Sequence, residues 1–359
     1  MLEPKGKKIC VIVTSLGRGG AERSSSMLTR MLGSAGHEVH LVSVMDIIDY
    51  AYDGNLLNLG AMHQSGSKLI NKFKKYRTLK RFLRTQNFDL VVDNRSRPAF
   101  LRELIMARWV HDPSKTIYAV RSFNLSLYFI KPNWLAKYIY KDAKKIVAVS
   151  KQIAEQIRTS YGLANVTTIY NPIESITTEA FVHSRPYILF FGRMEDDVKN
   201  LSLLLNAYGN SDLPQKQIDL LLLGDGKDVQ KFKEKVAMLN LNDNVKFLPY
   251  QSHPFSYVKG ALFTLLTSHY EGFPRSVIES LSVETPVISV DCDSGPREII
   301  TNEVNGLLVE NYNIQALADA MNRMIDDSNL YATCKSNAQQ SVDGFSMKSI
   351  MREWSELLN

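Results

Sequence analysis

Short, unbroken apolar runs recur along the chain, each followed by a polar turn and then by apolar residues at helical spacing. The first run, KICVIVTSL at residues 8–16, ends in the glycine-rich turn GRGGAERS. A helix follows, with Met27, Leu28, Met31 and Leu32 on one face, and then the run HEVHLVSV. Continuous apolar runs of this length mark strands buried on both faces, and their alternation with helices predicts a doubly wound α/β domain. FDLVV, TIYAV, KKIVAVS and VTTIY extend it. After Asn171-Pro172 the pattern lapses through ESITTEAFVHSRP and then restarts. YILFFGR, DLLLLGDG, VKFLPY, ALFTLLTS, PVISVD and GLLVE read as strands, with LSLLLNAY and KDVQKFKEKVAMLNL as helices. The last stretch, FSMKSIMREWSELL, is an amphipathic helix. We therefore expect a first domain over 1–170, a linker over 171–186, a second domain over 187–343, and a helix over 344–359 that returns to the first. Residues 46–66 carry no readable pattern. At 359 residues the chain is too long for one ordinary core, which agrees with two domains.

One helical stretch changes the picture. Residues 68–84, KLINKFKKYRTLKRFLR, hold eight basic side chains and no acidic one, with Leu69, Phe73, Tyr76, Leu79 and Leu83 three or four apart. The stretch reads either as a solvated helix covering the sheet or as a surface meeting an anionic membrane or acceptor. WLAKYIYKDAKK, within 132–145, mixes aromatics with lysines in the same way. The net charge of +6 favours anionic partners. Three scattered cysteines, Cys10, Cys292 and Cys334, point to a reducing compartment rather than a disulfide framework. Only eight residues, Ile9 to Leu16, separate Lys8 from Gly17 and no small-residue cleavage pattern follows, so a first buried strand fits better than a signal peptide. No run approaches the roughly 18 apolar residues a membrane span needs.

Candidate chemistry gathers where strands end, which is where open α/β sheets bind ligands. In the first half these residues are Gly19 and Gly20, then Asn94, Arg95 and Arg97, then Arg121 and Ser122. Arg95, Arg97 and Arg121 are candidates for holding an acceptor phosphate. In the second half Gly192-Arg193 closes one strand and Lys199 lies six residues on; a rigid fork and a mobile point charge suit a diphosphate. Gly224 and Gly226 follow the next strand. The stretch from Thr267 to Ile300 holds two carboxylates, Glu271 and Glu279, around Gly272, Phe273, Pro274, Arg275 and Ser276. Proline suits a first helical turn, and the free amides behind it suit an anion. The seven histidines show no metal-ligand spacing.

From about Tyr187 to Glu310 the chain resembles glycosyltransferase family 4, the retaining nucleotide-sugar transferases of the GT-B fold. FFGR with Lys199, LLLLGDG, TSHYEGFPRSVIES, TPVIS and NGLLVE occur in the family's order, and the two glutamates have its spacing. The resemblance implies two Rossmann-like domains facing across a cleft, with donor on the second and acceptor on the first. It implies that Arg193 and Lys199 bind the donor diphosphate, that Glu279 binds the ribose hydroxyls, and that Glu271 faces the transferred sugar. The backbone of Gly192, Gly224, Gly226 and Gly272, and the amides of Phe273, Pro274's neighbours Arg275 and Ser276, would line the donor. Gly19 and Gly20 match a loop that closes over it. The implied donor is a nucleotide sugar, a UDP-sugar, with no metal cofactor. DCDSGPREII is similar to a subgroup that builds polysaccharide and lipid-linked oligosaccharide. That implies a glycan acceptor, no nucleic acid, and peripheral work at the cytoplasmic face of the membrane through 68–84. Two departures stand out: VRSFN at Arg121–Ser122 lacks the family's histidine, and Val283-Glu284 replaces small residues. Asp291-Cys292-Asp293 matches a metal motif of another fold, and we expect no metal there. A sugar-nucleotide epimerase of the same fold and a basic nucleic-acid-binding protein are the alternative readings.

Overall fold

The structure, a computed structural model, describes residues 6–17, 19–62 and 67–358. The chain forms two compact units: Met1–Pro172 with Met347–Asn359, and Ile173–Ser346. In the first unit the order is β1 (Lys8–Val13), α1 (Gly20–Ser34), β2 (Glu38–Ser43), β3 (Asn55–Asn58), α2 (Lys68–Gln86), β4 (Leu90–Asp93) and α3 (Phe100–Ile105). A π-helical turn, Met106–Val110, continues α3, and β5 (Thr116–Val120), α4 (Asn133–Tyr140), β6 (Lys145–Ala148), α5 (Lys151–Tyr161) and β7 (Val166–Thr168) follow. The second unit runs β8 (Tyr187–Phe191), α6 (Asp196–Lys199), α7 (Leu201–Asn210), β9 (Asp219–Leu223), α8 (Val229–Met238), β10 (Val245–Leu248), α9 (Phe255–Gly260) and β11 (Thr264–Leu266). It ends with α10 (Arg275–Ser282), β12 (Val287–Val290), α11 (Pro296–Ile299), β13 (Gly306–Val309), α12 (Ile314–Asp326) and α13 (Ser328–Ala338). Finally α14 (Met347–Leu358) belongs again to the first unit.

Both sheets are parallel, ordered β3-β2-β1-β4-β5-β6-β7 and β10-β9-β8-β11-β12-β13. The unbroken apolar runs follow from this. Ile9, Val11 and Val13 of β1 pack under Leu28, Met31 and Leu32 of α1, while Cys10 and Ile12 face Leu79 of α2 and Met106. Because successive strand side chains point to opposite faces, a sheet covered on both sides needs apolar residues at every position. Each such Leu or Ile contributes about 1.5–3 kcal/mol by leaving water. Ile350, Trp354 and Leu358 of α14 join the same cluster as Ile9 and Leu28. Local chemistry sets the ends of α5: the Ser150 hydroxyl accepts from the Ile153 amide at 3.2 Å, and Gly162 closes the helix in the left-handed region. The structure also finds β3 inside the patternless 46–66 stretch, as a short, mostly exposed edge strand.

The apolar stripe of α2 divides. Leu79 is buried and Tyr76 and Leu83 pack, partly buried, against the core cluster that holds it, but Leu69 and Phe73 are exposed. The stripe is longer than the protein beneath it.

At the carboxyl end of β4 the structure corrects a sequence expectation. Arg95 and Arg97, expected to hold an acceptor phosphate, are buried, 4% and 0% exposed. Arg95 donates to both oxygens of Asp93, at 2.9 and 2.7 Å, and to Glu103 at 3.3 Å. Arg97, fully buried, donates to the backbone carbonyls of Asp93, Arg95 and Ala119 and lies over the rings of Tyr118 and Tyr128. A guanidinium taken out of water needs many partners; those of Arg97 occupy both terminal nitrogens, while its buried Nε has none among the described residues. Glu103 and Asp93 are the counter-charges that the strand pattern did not reveal.

His111 sits against the same cluster, its Nδ1 3.2 Å from the Tyr118 hydroxyl and its Nε2 4.0 Å from Asp93, with no hydrogen-bond partner among the described residues. Burial pushes this imidazole down to about 4 from its ordinary 6.5, against the pull of Asp93. Burial alone would raise the Asp93 carboxyl, but Arg95, Arg97 and His111 hold it down to about 2. Between pH 6.5 and about 4 the unfolded chain therefore binds more protons at His111 than the folded chain, and stability falls as the pH is lowered through that window. The effect is on the order of 3 kcal/mol across that window; Asp93 adds its own loss only below about 3.8. We predict that thermal melts of His111→Gln show a flatter decline from pH 6.5 to 4 than the parent protein. An unchanged slope contradicts this account.

Candidate functional site

The second sheet reverses direction at one place. From β8 the chain steps outward through β9 to β10, then returns to lay β11, β12 and β13 on the other side of β8. The connections leaving the carboxyl ends of β8 and β11 thus diverge, and the crevice they leave is where open α/β sheets accept ligands. The sequence candidates Arg193, Lys199, Glu271 and Glu279 all come from these two connections.

Lys199 closes the four-residue α6, and Asn200 beyond it takes the left-handed conformation, φ 48°, which asparagine tolerates better than most residues. Asp196 starts the next helix by accepting from the Ser202 amide at 2.9 Å and its hydroxyl at 2.7 Å. The loop after β11 is tied to the same place: the Thr267 hydroxyl donates to the Lys199 carbonyl at 2.9 Å, and the His269 amide to that of Val198 at 2.9 Å. This brings Glu271 to Lys199. The ammonium meets Glu271 Oε1 at 2.6 Å, and the Ser268 hydroxyl donates to the same oxygen at 2.7 Å. Both contacts fall on Oε1, so Oε2 has no protein hydrogen bond among the described residues. The two side chains are mostly but not fully buried, 18% and 13% exposed. Ser268 was not singled out in the sequence; a serine three residues before the glutamate is its only signal.

The EGFP turn is held from the far side by the loop after β12. The Glu271 amide donates to the Asp293 carbonyl at 3.0 Å, and the Ser294 hydroxyl to that of Gly272 at 2.7 Å. Gly295 takes φ 101°, and a Cβ there would lie 2.3 Å from Pro274 Cδ, so only glycine lets the two turns meet. Pro274 is the residue before α10, not within its first turn; the helix starts at Arg275. Arg275 reaches one turn on and donates to Glu279 Oε1 from Nε and Nη2, at 3.2 and 3.0 Å. Glu279 is 4% exposed, so its orientation is fixed by a charged partner at i,i+4 spacing, legible in the sequence only as that spacing. Val277 to Ser282 are all buried, which seats the helix firmly.

Arg193 is different. Its side chain is 63% exposed, and its contact is Glu195 at 3.8 Å. Gly192 and Gly224 both take φ 150°, and a Cβ on Gly224 would lie 2.0 Å from the Gly192 carbonyl oxygen. The protein's own backbone therefore requires glycine there, as it does at Gly226, where a Cβ would meet the Met194 carbonyl at 2.3 Å. Cys292 is buried nearby; burial, then the Glu271 charge, pushes its thiol above the usual range, which disfavours the thiolate. In the first unit Gly19 precedes α1 in extended conformation and Gly20 opens it. Arg121 is half-buried, donating to Asn171 Oδ1 at 2.8 Å and Asn94 Oδ1 at 3.2 Å, beside a small cavity lined by Ser24, Leu28 and Trp354. Among the described residues no group of three or more His, Cys, Asp or Glu is placed to hold a metal ion.

The geometry makes Lys199 and Glu271 one charge-paired unit. Removing one partner leaves a mostly buried charge uncompensated; removing both charges does not. We predict that Lys199→Met and Glu271→Gln each lower stability by about 1–2 kcal/mol in urea denaturation, and that the double variant loses less than their sum. Strict additivity contradicts the pairing.

Two family descriptions match the chain: "Glycosyltransferase Family 4" over residues 18–175 and "Glycosyl transferases group 1" over residues 174–341. A relative of nearly equal length is the N-acetylgalactosamine-N,N'-diacetylbacillosaminyl-diphospho-undecaprenol 4-alpha-N-acetylgalactosaminyltransferase of Campylobacter jejuni. It is 27% identical, over 97% of this chain and 98% of its own. Among solved structures, S. aureus TarM, bound to fondaparinux, alpha-GlcNAc-glycerol and UDP, superposes with TM-score 0.79 at 16% identity, over 98% of this chain and all of that one. Anabaena Alr3699/HepE in complex with UDP gives 0.77 at 18% identity, over 98% and 99%. These likenesses show the same GT-B type of fold. A parallel sheet with paired basic and acidic groups at its switch point, within the two matched families, makes this chain a member of the family 4 glycosyltransferases with the GT-B fold.

Proposed function

We propose that the chain is a retaining transferase that moves a sugar from a UDP-sugar to a hydroxyl of a lipid-linked or surface polysaccharide glycan. The observation that carries this reading is the Lys199–Glu271 pair held at the switch point beside the EGFP turn. In this reading Arg193 and Lys199 meet the donor diphosphate, and the amides from Phe273 to Ser276 at the start of α10 complete its cradle. The backbone at Gly192, Gly224, Gly226 and Gly272 shapes the crevice. Glu279, oriented by Arg275, accepts from the ribose hydroxyls. Glu271, whose Oε2 lacks a protein partner, accepts from hydroxyls of the sugar.

The chemistry follows from where charge develops. Breaking the bond between the anomeric carbon and the phosphate oxygen leaves its electron pair on the diphosphate. Cations and amides already in place stabilise that charge more than the ground state, which lowers the barrier. The acceptor hydroxyl bonds to the same carbon from the side the diphosphate leaves, and its proton passes to the departing phosphate. The anomeric configuration is kept, and the fixed cations take the part that a resident metal plays elsewhere. The acceptor class rests on the Campylobacter relative, whose name gives it a diphospho-undecaprenol-linked acceptor. Such an acceptor and the eight cations of α2 support a peripheral position at the cytoplasmic face of the membrane. Arg121, between Asn94 and Asn171, is the first unit's candidate for an acceptor anion.

The test is product analysis by NMR with a UDP-sugar and an undecaprenyl-diphosphate-linked glycan. We expect a product with the donor's anomeric configuration, turnover unchanged by EDTA, and Lys199→Met slowing kcat by roughly 10²–10³-fold. An inverted product, or turnover abolished by EDTA, rejects the mechanism.

A further inference from the structure

Three helical elements of the first unit expose large apolar side chains at one spacing. On α2 these are Leu69 and Phe73, 80% and 58% exposed. Along α3 and the π-helical turn that continues it they are Leu101 and Trp109, two steps of four apart. On α4 they are Trp134 and Tyr138, 70% and 49% exposed. Residues four apart lie on one helix face, so each element presents an apolar stripe outward.

Side-chain contacts join the three stripes. The Phe73 ring stacks on Trp109 with centroids 5.8 Å apart and planes 19° from parallel. Lys80 of α2 holds its ammonium 4.0 Å from the centre of the same indole. On the other side, Arg108 of the π turn donates to the Tyr138 carbonyl and covers the Tyr138 ring at 4.2 Å. Phe73, Trp109 and Tyr138 thus tie the three elements together through ring and cation contacts, with Leu69, Leu101 and Trp134 exposed on the same elements. Surfaces of this kind mark an interaction site.

The charge pattern selects the occupant. The α2 helix carries eight basic residues and no acidic one, and Lys137 of α4 adds to the positive field, while Arg108 is paired with Asp142 at 3.4 Å. Protein interfaces are depleted in lysine at their centres. Aromatic rings at headgroup depth, ringed by long cationic side chains that reach back to water, are the pattern of a bilayer interface. We propose that α2, the π-helical turn and α4 form one docking surface on an anionic membrane, with Leu69, Phe73, Leu101, Trp109 and Trp134 entering the interface while the surrounding lysines and arginines meet phosphate headgroups. This rests on the membrane-linked acceptor proposed above and extends it from a charged helix to apolar insertion by three elements.

The tryptophans make the test direct. The chain has three, and Trp354 is buried in the core at 4% exposure, so interfacial fluorescence changes report Trp109 and Trp134. The protein is mixed with phosphatidylcholine vesicles with and without phosphatidylglycerol, and with versions carrying brominated acyl chains. Expected are flotation with the anionic vesicles, a blue shift, and quenching by the brominated lipid. The Phe73→Ser/Trp109→Ser variant should partition roughly tenfold more weakly, yet transfer sugar normally to a short water-soluble acceptor. Binding fully reversed by salt, with no quenching, overturns the insertion and leaves the charge-based membrane reading standing. Absence of binding to anionic vesicles overturns both, while activity on the soluble acceptor still reports the transferase reading separately. Concentration-dependent self-association that shields Trp109 and Trp134 without vesicles also overturns it, because the surface is then a contact between copies.

Discussion

The second unit depends on the ion pair between Lys199 and Glu271. Neither residue can be placed without the other's surroundings. Lys199 is set by a left-handed Asn200 and by Thr267 gripping its carbonyl; Glu271 is set by Ser268 and by the backbone of Asp293. The pair thus ties the connection after β8 to those after β11 and β12, across the one point where the sheet order reverses. A cation and a carboxylate held 2.6 Å apart and mostly out of water form a preorganised site: little reorganisation remains when charge develops nearby.

The arginines show how burial sorts charged residues that look alike in sequence. Arg95 and Arg97 follow a central strand, as Arg193 does, yet their guanidinium groups are enclosed by Asp93, Glu103, backbone carbonyls and tyrosines. Arg193 extends into solvent, with a 3.8 Å contact to Glu195 and no other ion pair among the described residues. Desolvating a cation demands partners in proportion, so the buried arginines hold the first sheet's centre together and the exposed one is available to an anion. Arg121 lies between these cases, half-buried and gripped by two asparagines.

Much of the architecture was legible because parallel sheets write themselves as continuous apolar runs: KICVIV, YILFF and DLLLL are strands where the pattern puts them. The spacing of Glu271 and Glu279, with the EGFP turn between, marked the candidate site. What the sequence did not reveal depends on long-range contacts. Asn55–Asn58 has no periodicity because it is an exposed edge. The fate of Arg95 turned on Glu103 from another element. The α2 stripe reads as one amphipathic face, but only tertiary packing decides that Leu79 is covered and Phe73 is not. The glycines of the second unit, read as room for a nucleotide, turn out to be required by neighbouring backbone at Gly192 and Met194; the sequence cannot distinguish these two demands.

The central claim is that the carboxyl ends of β8 and β11 bind a nucleotide diphosphate through Lys199. Isothermal titration with UDP tests it most directly, comparing the parent protein with Lys199→Met and with Arg121→Gln. The account predicts that UDP binds the parent, that Lys199→Met weakens it about tenfold or more, as removing a charge-assisted contact should, and that Arg121→Gln leaves it unchanged. Equal affinity for the parent and Lys199→Met, or loss of binding with Arg121→Gln alone, contradicts it.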